Sequence, residues 1–319
     1  GEWANMDIGT GPYTWGDWSI GNTVELNAFD DYYVEGQPAI KKVEFKVISE
    51  DGNRYIEVET GGADICYNLS GVDIAAAEAN SDVQMFREYT MDNCYLSFNQ
   101  REEPFTDVRV RQAIAYALDI DGAWNVCMDG VGQPAKGVLP DNVTDSIAKA
   151  DSPYHVDYPV YQYNLEKAKE LLAEAGYPDG FTCTMTCDQN QQRLDTAEMV
   201  QMQLAEIGIT MKIASMERGT FIDNVISGNL EMFGLGWTAD TGDPDYALFA
   251  SFHSSMHGEG GNMSFYTNPE VDRLLDLGRS STDPEVRKDA YYKVQEIVWN
   301  EVPCVFLQCP EDLYAYNSN

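Results

Sequence analysis

The segment Trp237-Thr-Ala-Asp-Thr-Gly-Asp-Pro-Asp245 places an indole and three carboxylates within one turn-rich stretch, directly after the apolar run Met232-Phe-Gly-Leu-Gly236. Carboxylates beside an aromatic face suit a small cation, held by charge and by the ring quadrupole. Asp243 and Asp245 flank Pro244, and their better reading is the satisfaction of turn amides. Trp237 has two readings of equal weight, a wall of a binding site or ordinary core packing at a strand end. Asp240 and Asp243, three residues apart, imitate the carboxylate pair of a glycosidase, and a carboxylate-dependent hydrolase is the enzyme reading to weigh. Nothing else supports it: the chain has no nucleophile elbow, no Gly-rich phosphate loop after a strand and no His partnered with Cys or Ser in a motif. A non-enzymatic binder needs only a shaped site and a few fixed polar groups.

Other candidates have simpler roles. His253 and His257 have the i, i+4 spacing of helical metal ligands, but Gly258-Glu-Gly-Gly261 argues for a loop and no third ligand is near, so neither a metal nor a cofactor is expected. His155 is read as exposed in a loop rich in Pro and Tyr. Arg109 and Arg111 lie on different faces of a helix, with structural roles such as pairing with Asp107. The seven Cys cannot all pair and form no C-x-x-C clip, and Cys183 and Cys187 share a strand face too far apart to bridge. They are read as buried free thiols, which suggests a reducing or anoxic setting.

The elements that position these residues follow from pattern and punctuation. Thr106 or Asp107 caps a helix to about Leu118, and Asn164 opens another that ends at Gly176. Strand 181–187, helix 195–207, strand 209–214, helix 217–227 and strand 231–237 then alternate, with Gly208 and Gly228 closing the helices. Such alternation is the signature of βαβ units in an open α/β sheet, where ligands bind beyond the carboxyl ends of strands. The Trp237 segment occupies such an end. Asn268-Pro269 and Asp283-Pro284 start two further helices, and 304–307 forms a last strand. The first hundred residues, with Trp15, Trp18 and the run Val43–Ile48, read as sheet with short connections.

Length and charge bound the rest. The 319 residues suffice for about two domains. With 20 basic against 53 acidic residues and a formal charge of −33, nucleic acid and anionic membrane surfaces are poor partners. No apolar run approaches the ~20 residues needed to cross a bilayer. Gly1-Glu-Trp-Ala-Asn5 has no basic flank leading into an apolar core, and the lack of an initiator Met points to a processed or cut chain.

Taken in order, Gly9-Thr-Gly-Pro-Tyr13, Gly62-Ala-Asp-Ile65, Leu96-Ser-Phe-Asn99, Pro104-Phe-Thr-Asp-Val-Arg-Val-Arg-Gln-Ala-Ile114, the helix Asn164–Gly176, the Trp237 segment and Tyr266-Thr-Asn-Pro-Glu-Val-Asp272 form a recognisable series. In this series the chain resembles the C-terminal part of the peptide-binding proteins of ABC importers, the solute-binding family 5 with its dipeptide, oligopeptide and nickel branches. The resemblance implies a type II periplasmic-binding-protein fold: a complete α/β lobe over 95–304, with an open mixed sheet flanked by helices, and an incomplete second lobe from 1–94 and 305–319. It implies delivery of di- or oligopeptides to an ABC permease and a missing N-terminal segment of the same protein as a partner. The location implied is extracytoplasmic, periplasmic or lipid-anchored as a lipoprotein, with signal and anchor outside this chain. Nickel chelates, haem and oligosaccharides are the alternative ligands. The resemblance gives Asp240 the free α-amino group of the peptide, flanked by Trp237, Thr238 and Ala239. Tyr95, at the passage between lobes, has two readings, cleft lining and cross-strand packing, of which packing is the better. Where the dipeptide branch carries an Arg for the ligand carboxylate, this chain has Cys187, and Arg193 is the nearest cation, a departure that favours a longer peptide or a cationic ligand without a carboxylate.

Overall fold

The computed structural model describes residues 9–122, 130–149 and 161–318. They fall into two compact units, one running to Met85 and resuming at Tyr314, the other from Phe86 to Leu313. In the first, strands β1 (Tyr13–Ser19), β2 (Thr23–Ala28) and β3 (Lys42–Lys46) form an antiparallel sheet in that order. Helix α1 (Asp51–Glu59), the short strand β4 (Ile65–Cys66), helix α2 (Ile74–Ala79) and strand β5 (Val83–Tyr89) follow.

The larger unit alternates strands and helices as the sequence pattern predicts. Its elements are β6 (Asp92–Phe98), α3 (Val108–Ala117), β7 (Gln133–Pro134), α4 (Leu165–Glu174), β8 (Thr182–Asp188), α5 (Gln191–Ala205) and β9 (Thr210–Met216). Then come α6 (Arg218–Ser227), β10 (Met232–Thr238), α7 (Pro244–Phe252), α8 (Pro269–Ser280), α9 (Pro284–Glu301) and β11 (Cys304–Cys309), before β12 (Glu311–Asn317) returns to pair with β4. Six strands form one mixed sheet in the order β7-β11-β6-β10-β8-β9. β8 runs parallel to both β9 and β10, whereas β6 is antiparallel to β10 and β11.

Caps set the helix starts. Asp107 accepts from the Arg109 N–H, Asn164 from Lys167, and Asn268 and Asp283 each cap a helix whose first residue is Pro. Helix α5 begins at Gln191, ahead of the expected 195, because Asn190 accepts from the Arg193 N–H and so starts a first turn that carries no apolar stripe. Gly228 ends α6 at φ 67°, the left-handed conformation a glycine adopts without penalty.

Side chains alternate across the sheet with the period of two that a strand imposes. Tyr95, Phe233, Leu235 and Phe306 pack on one face with helices α6 to α9, and Leu96, Phe98, Met232 and Val305 on the other with α3, α4 and α5. Within this unit, which spans Phe86–Leu313, β6 and β11 pair in the mixed sheet. Cys94, Cys183, Cys187, Cys304 and Cys309 are free thiols. Burial pushes the thiols of Cys183 and Cys309 up to about 12 and that of Cys187 to about 11. Cys127 and His155 lie outside the described residues.

Arg109 and Arg111 are structural, as their spacing suggests. Arg109 pairs with Asp107 and donates to the Glu174 carbonyl. Arg111 is buried and donates to the carbonyls of Phe105, Thr106, Glu301 and Val302, tying the start of α3 to the end of α9. Burial lowers its pKa to about 10, which leaves it charged at neutral pH. Arg111→Met strands these carbonyls, with an expected loss of about 3 kcal/mol, measurable from urea unfolding midpoints.

Candidate functional site

Strand β10 ends at Thr238, and the loop beyond it divides its carboxylates sharply. Ala239 is buried and donates its N–H to the Met91 carbonyl at 2.8 Å, while Gly242 closes a tight turn on the Ala239 carbonyl at 2.8 Å. Asp243 caps α7 by accepting from the Asp245 N–H at 2.9 Å and also pairs with Arg287 of α9. Asp245 accepts from the Tyr291 hydroxyl at 2.8 Å and from Arg279 at 2.8 Å. These two acids therefore hold the loop to α8 and α9, a larger role than satisfying turn amides. Thr238 and Asp240 are exposed, and no described hydrogen bond or ion pair engages the Asp240 carboxylate.

Trp237 is half-buried and lies against Gly261 and 6.0 Å from the Tyr246 ring. Trp237 packs against the core and also lines a small cavity of about 30 Å³ with Met91, Asn93, Tyr95 and Ser264. Its indole N–H is buried and has no partner among the described residues. Tyr95 sits within β6, paired with Leu235 and Phe306, and meets the Phe306 ring edge-on at 6.3 Å. Burial raises its phenol well above the usual range, so it acts as a neutral wall.

A second, larger cavity of about 110 Å³ lies where β8 and β10 part, lined by Met185, Gly234, Leu235, Arg193 and Met199 among others. Arg193 reaches it from the first turn of α5. Its Nη1 donates to Asp188 Oδ2 at 2.6 Å, and the same oxygen accepts Nη1 of Arg218 at 2.6 Å. The Asp188 side chain is 6% exposed, against 31% for Arg193 and 51% for Arg218. Burial opposes ionisation of Asp188, but the two guanidiniums outweigh it and hold the carboxyl below the usual carboxylate range. Sequence reasoning missed Arg218 because it is thirty residues from Asp188. The only signal for it was its place at the start of a helix after the neighbouring parallel strand. Cys187 is buried, with its Sγ 3.6 Å from the Arg193 carbonyl.

The two histidines do not converge. His253 stacks on Phe249 and accepts from Ser255, while His257 Nε2 lies 2.9 Å from the Tyr266 carbonyl. Among the described residues no group of three or more His, Cys, Asp or Glu side chains is placed to hold a metal ion.

Residues 3–258 match the family model described as bacterial extracellular solute-binding proteins, family 5 Middle. The chain belongs to this family. It is 30% identical over 318 residues to the glutathione-binding protein GsiB of Pectobacterium atrosepticum, covering 98% of this chain and 60% of the relative. Its fold is similar to that of the periplasmic binding protein DppA from Helicobacter pylori in complex with the peptide STSA, with TM-score 0.86 and 27% identity over 97% of this chain and 59% of that one. A dipeptide-binding protein from Pseudoalteromonas in complex with Met-Leu gives TM-score 0.84 and 26% identity, over 97% and 60% of the two chains. The chain thus spans about 60% of the length of these family 5 members. The α/β unit with its mixed sheet agrees with the type II binding-protein fold implied by the sequence motifs.

Two outcomes follow. A methyl group at Gly261 would lie 2.8 Å from the Trp237 ring on a backbone at φ 119°. Gly261→Ala should therefore shift Trp237 fluorescence and cost about 1–3 kcal/mol. Asp188 has a lowered pKa in the folded state, so the unfolded chain binds more protons and stability rises with pH. Its contribution is complete above the unfolded value of about 3.9 and is lost as the pH falls through the folded value. Asp188→Asn should flatten that acid limb in urea titrations at different pH and cost about 1–2 kcal/mol near neutrality, discounted for the exposed guanidiniums.

Proposed function

We propose that this chain is part of an extracytoplasmic binding protein that presents peptides to an ABC permease, and that it binds its ligand without transforming it. The observation that carries the reading is the uncommitted carboxylate of Asp240. Of the three acids in its loop, Asp243 and Asp245 are neutralised by Arg287 and Arg279, whereas Asp240 stays exposed beyond the carboxyl end of β10. Open α/β sheets bind ligands at such ends. A carboxylate with free lone pairs suits the α-ammonium group of a peptide, which offers charge and N–H donors together. Thr238 and Ala239 precede Asp240 in the chain, and the half-buried Trp237 and buried Tyr95 line the small cavity that Ala239 also borders.

Family membership supports the binder reading, as do the peptides named in the two solved complexes. GsiB also takes a small peptide, by its name. On this reading the partners are a peptide, the membrane permease and the remainder of a longer protein, and the setting is outside the cytoplasm.

Each charge-assisted hydrogen bond from an ammonium to a carboxylate contributes about 1.5–3 kcal/mol. Asp240→Ala should therefore raise Kd for free peptides by roughly 10- to 150-fold, while N-acetylated peptides should bind the parent protein weakly and gain nothing from Asp240. Titration calorimetry with tripeptides and their acetylated forms measures both, and equal binding of the two forms would remove the ammonium role.

A further inference from the structure

The face of β6 that meets helices α6 to α9 carries more polar groups than a central strand needs for packing. Asn93, Tyr95 and Ser97 stand on it in succession, opposite Trp237, Leu235 and Phe233 of β10, while Phe306 and Cys304 of β11 face Tyr95 and Ser97. Asn93 is 4% exposed and Ser97 2%. A polar group at such depth costs stability unless it is hydrogen-bonded.

Asn93 finds its partners within the protein. Its amide donates to the carbonyls of Gly137 and Val138 at 3.3 and 2.7 Å, and its Oδ1 accepts from the Cys309 thiol at 3.2 Å. Trp237, directly across the ladder from Asn93, is different: its indole N–H is buried with no partner among the described residues. An indole nitrogen can only donate, so an acceptor is what this group lacks.

The small cavity lined by Trp237 is where that acceptor fits. Its volume of about 30 Å³ exceeds the ~10–15 Å³ that one water needs. Asn93, Ser97 and Ser264 also line it, and no charged side chain does, which disfavours an ion. Ser264 spends its hydroxyl hydrogen on Asn262 Oδ1 at 3.2 Å and keeps its oxygen lone pairs for an incoming donor. The Ser97 oxygen can accept in the same way. One fixed donor and two hydroxyl acceptors are the complement of a single water, which accepts one hydrogen bond and donates two.

We propose that this cavity is a buried water site, in which one ordered water accepts the Trp237 indole N–H and donates to Ser97 and Ser264. The water is then a positioning element that holds the indole at the strand end, three residues before Asp240. It also accounts for a hydroxyl at position 97 of a central strand, where a β-branched apolar residue would otherwise suit the layer. The site is independent of the peptide-binding reading and stands or falls without it.

The test observes the indole hydrogen in the full chain, with isotope-labelled tryptophan and Trp237→Phe to assign the Trp237 Hε1 resonance. Water-selective NOESY and ROESY spectra should show a cross-peak from Hε1 to water with the sign of a dipolar contact to a long-lived water, opposite to that of hydrogen exchange. Ser97→Val fills the cavity and removes an acceptor, so it should abolish the cross-peak and move the Hε1 resonance upfield. A high-resolution crystal structure of the parent protein should place one water within hydrogen-bond distance of Trp237 Nε1, a measurement that holds even where Ser97→Val does not fold. A parent protein without the dipolar cross-peak, or without that water, overturns the proposal. A cross-peak that survives in folded Ser97→Val overturns it as well.

Discussion

The antiparallel pairing of β6 with β10 is the constraint on which the rest depends. It runs from Met232↔Phe98 to Thr238↔Asp92 without a break. A slip of one residue would turn Phe233 and Leu235 away from helices α6 to α9 and expose them, so burial on both faces fixes the register. That register decides where β10 stops, and therefore where Trp237 and the acidic loop emerge. It also sets Tyr95 between Leu235 and Phe306, at the boundary of both cavities.

On this frame, electrostatics separates groups that look alike in the sequence. Asp243 and Asp245 are absorbed by Arg287, Arg279 and Tyr291, and Asp188 by Arg193 and Arg218. Four of the chain's 20 basic residues are thus placed around three carboxylates near the ends of two neighbouring parallel strands. Asp240 keeps its charge unshared while its neighbours are rigidly held. A rigid surround with one free polar group costs little ordering entropy when a ligand arrives.

Much of the α/β unit was legible because its signals are local. Asn-Pro and Asp-Pro at helix starts, Gly228 at a helix end and the alternation from residue 181 onward each act within a few residues. The start of α5 was less legible, since Asn190 caps a turn of Gln and Arg that has no apolar rhythm. Pairings across the chain left no local trace. Arg287 is 44 residues from Asp243 and Arg218 is 30 from Asp188, so the sequence could show the acids but not which of them are spent. The fork at β8 and β10 was hidden for the same reason, because the point where two strands part depends on what packs beyond them.

The depth at which the thiols lie changes what they say about the medium around the protein. Only a thiolate reacts readily with oxidants or disulfides. Burial pushes the Cys183, Cys187 and Cys309 thiols well above their ordinary value, so they stay protonated at neutral pH. Cys183, Cys187 and Cys309 are therefore kinetically protected by the same packing that builds the sheet. The free state of these three is compatible with an oxidising exterior and does not call for a reducing one.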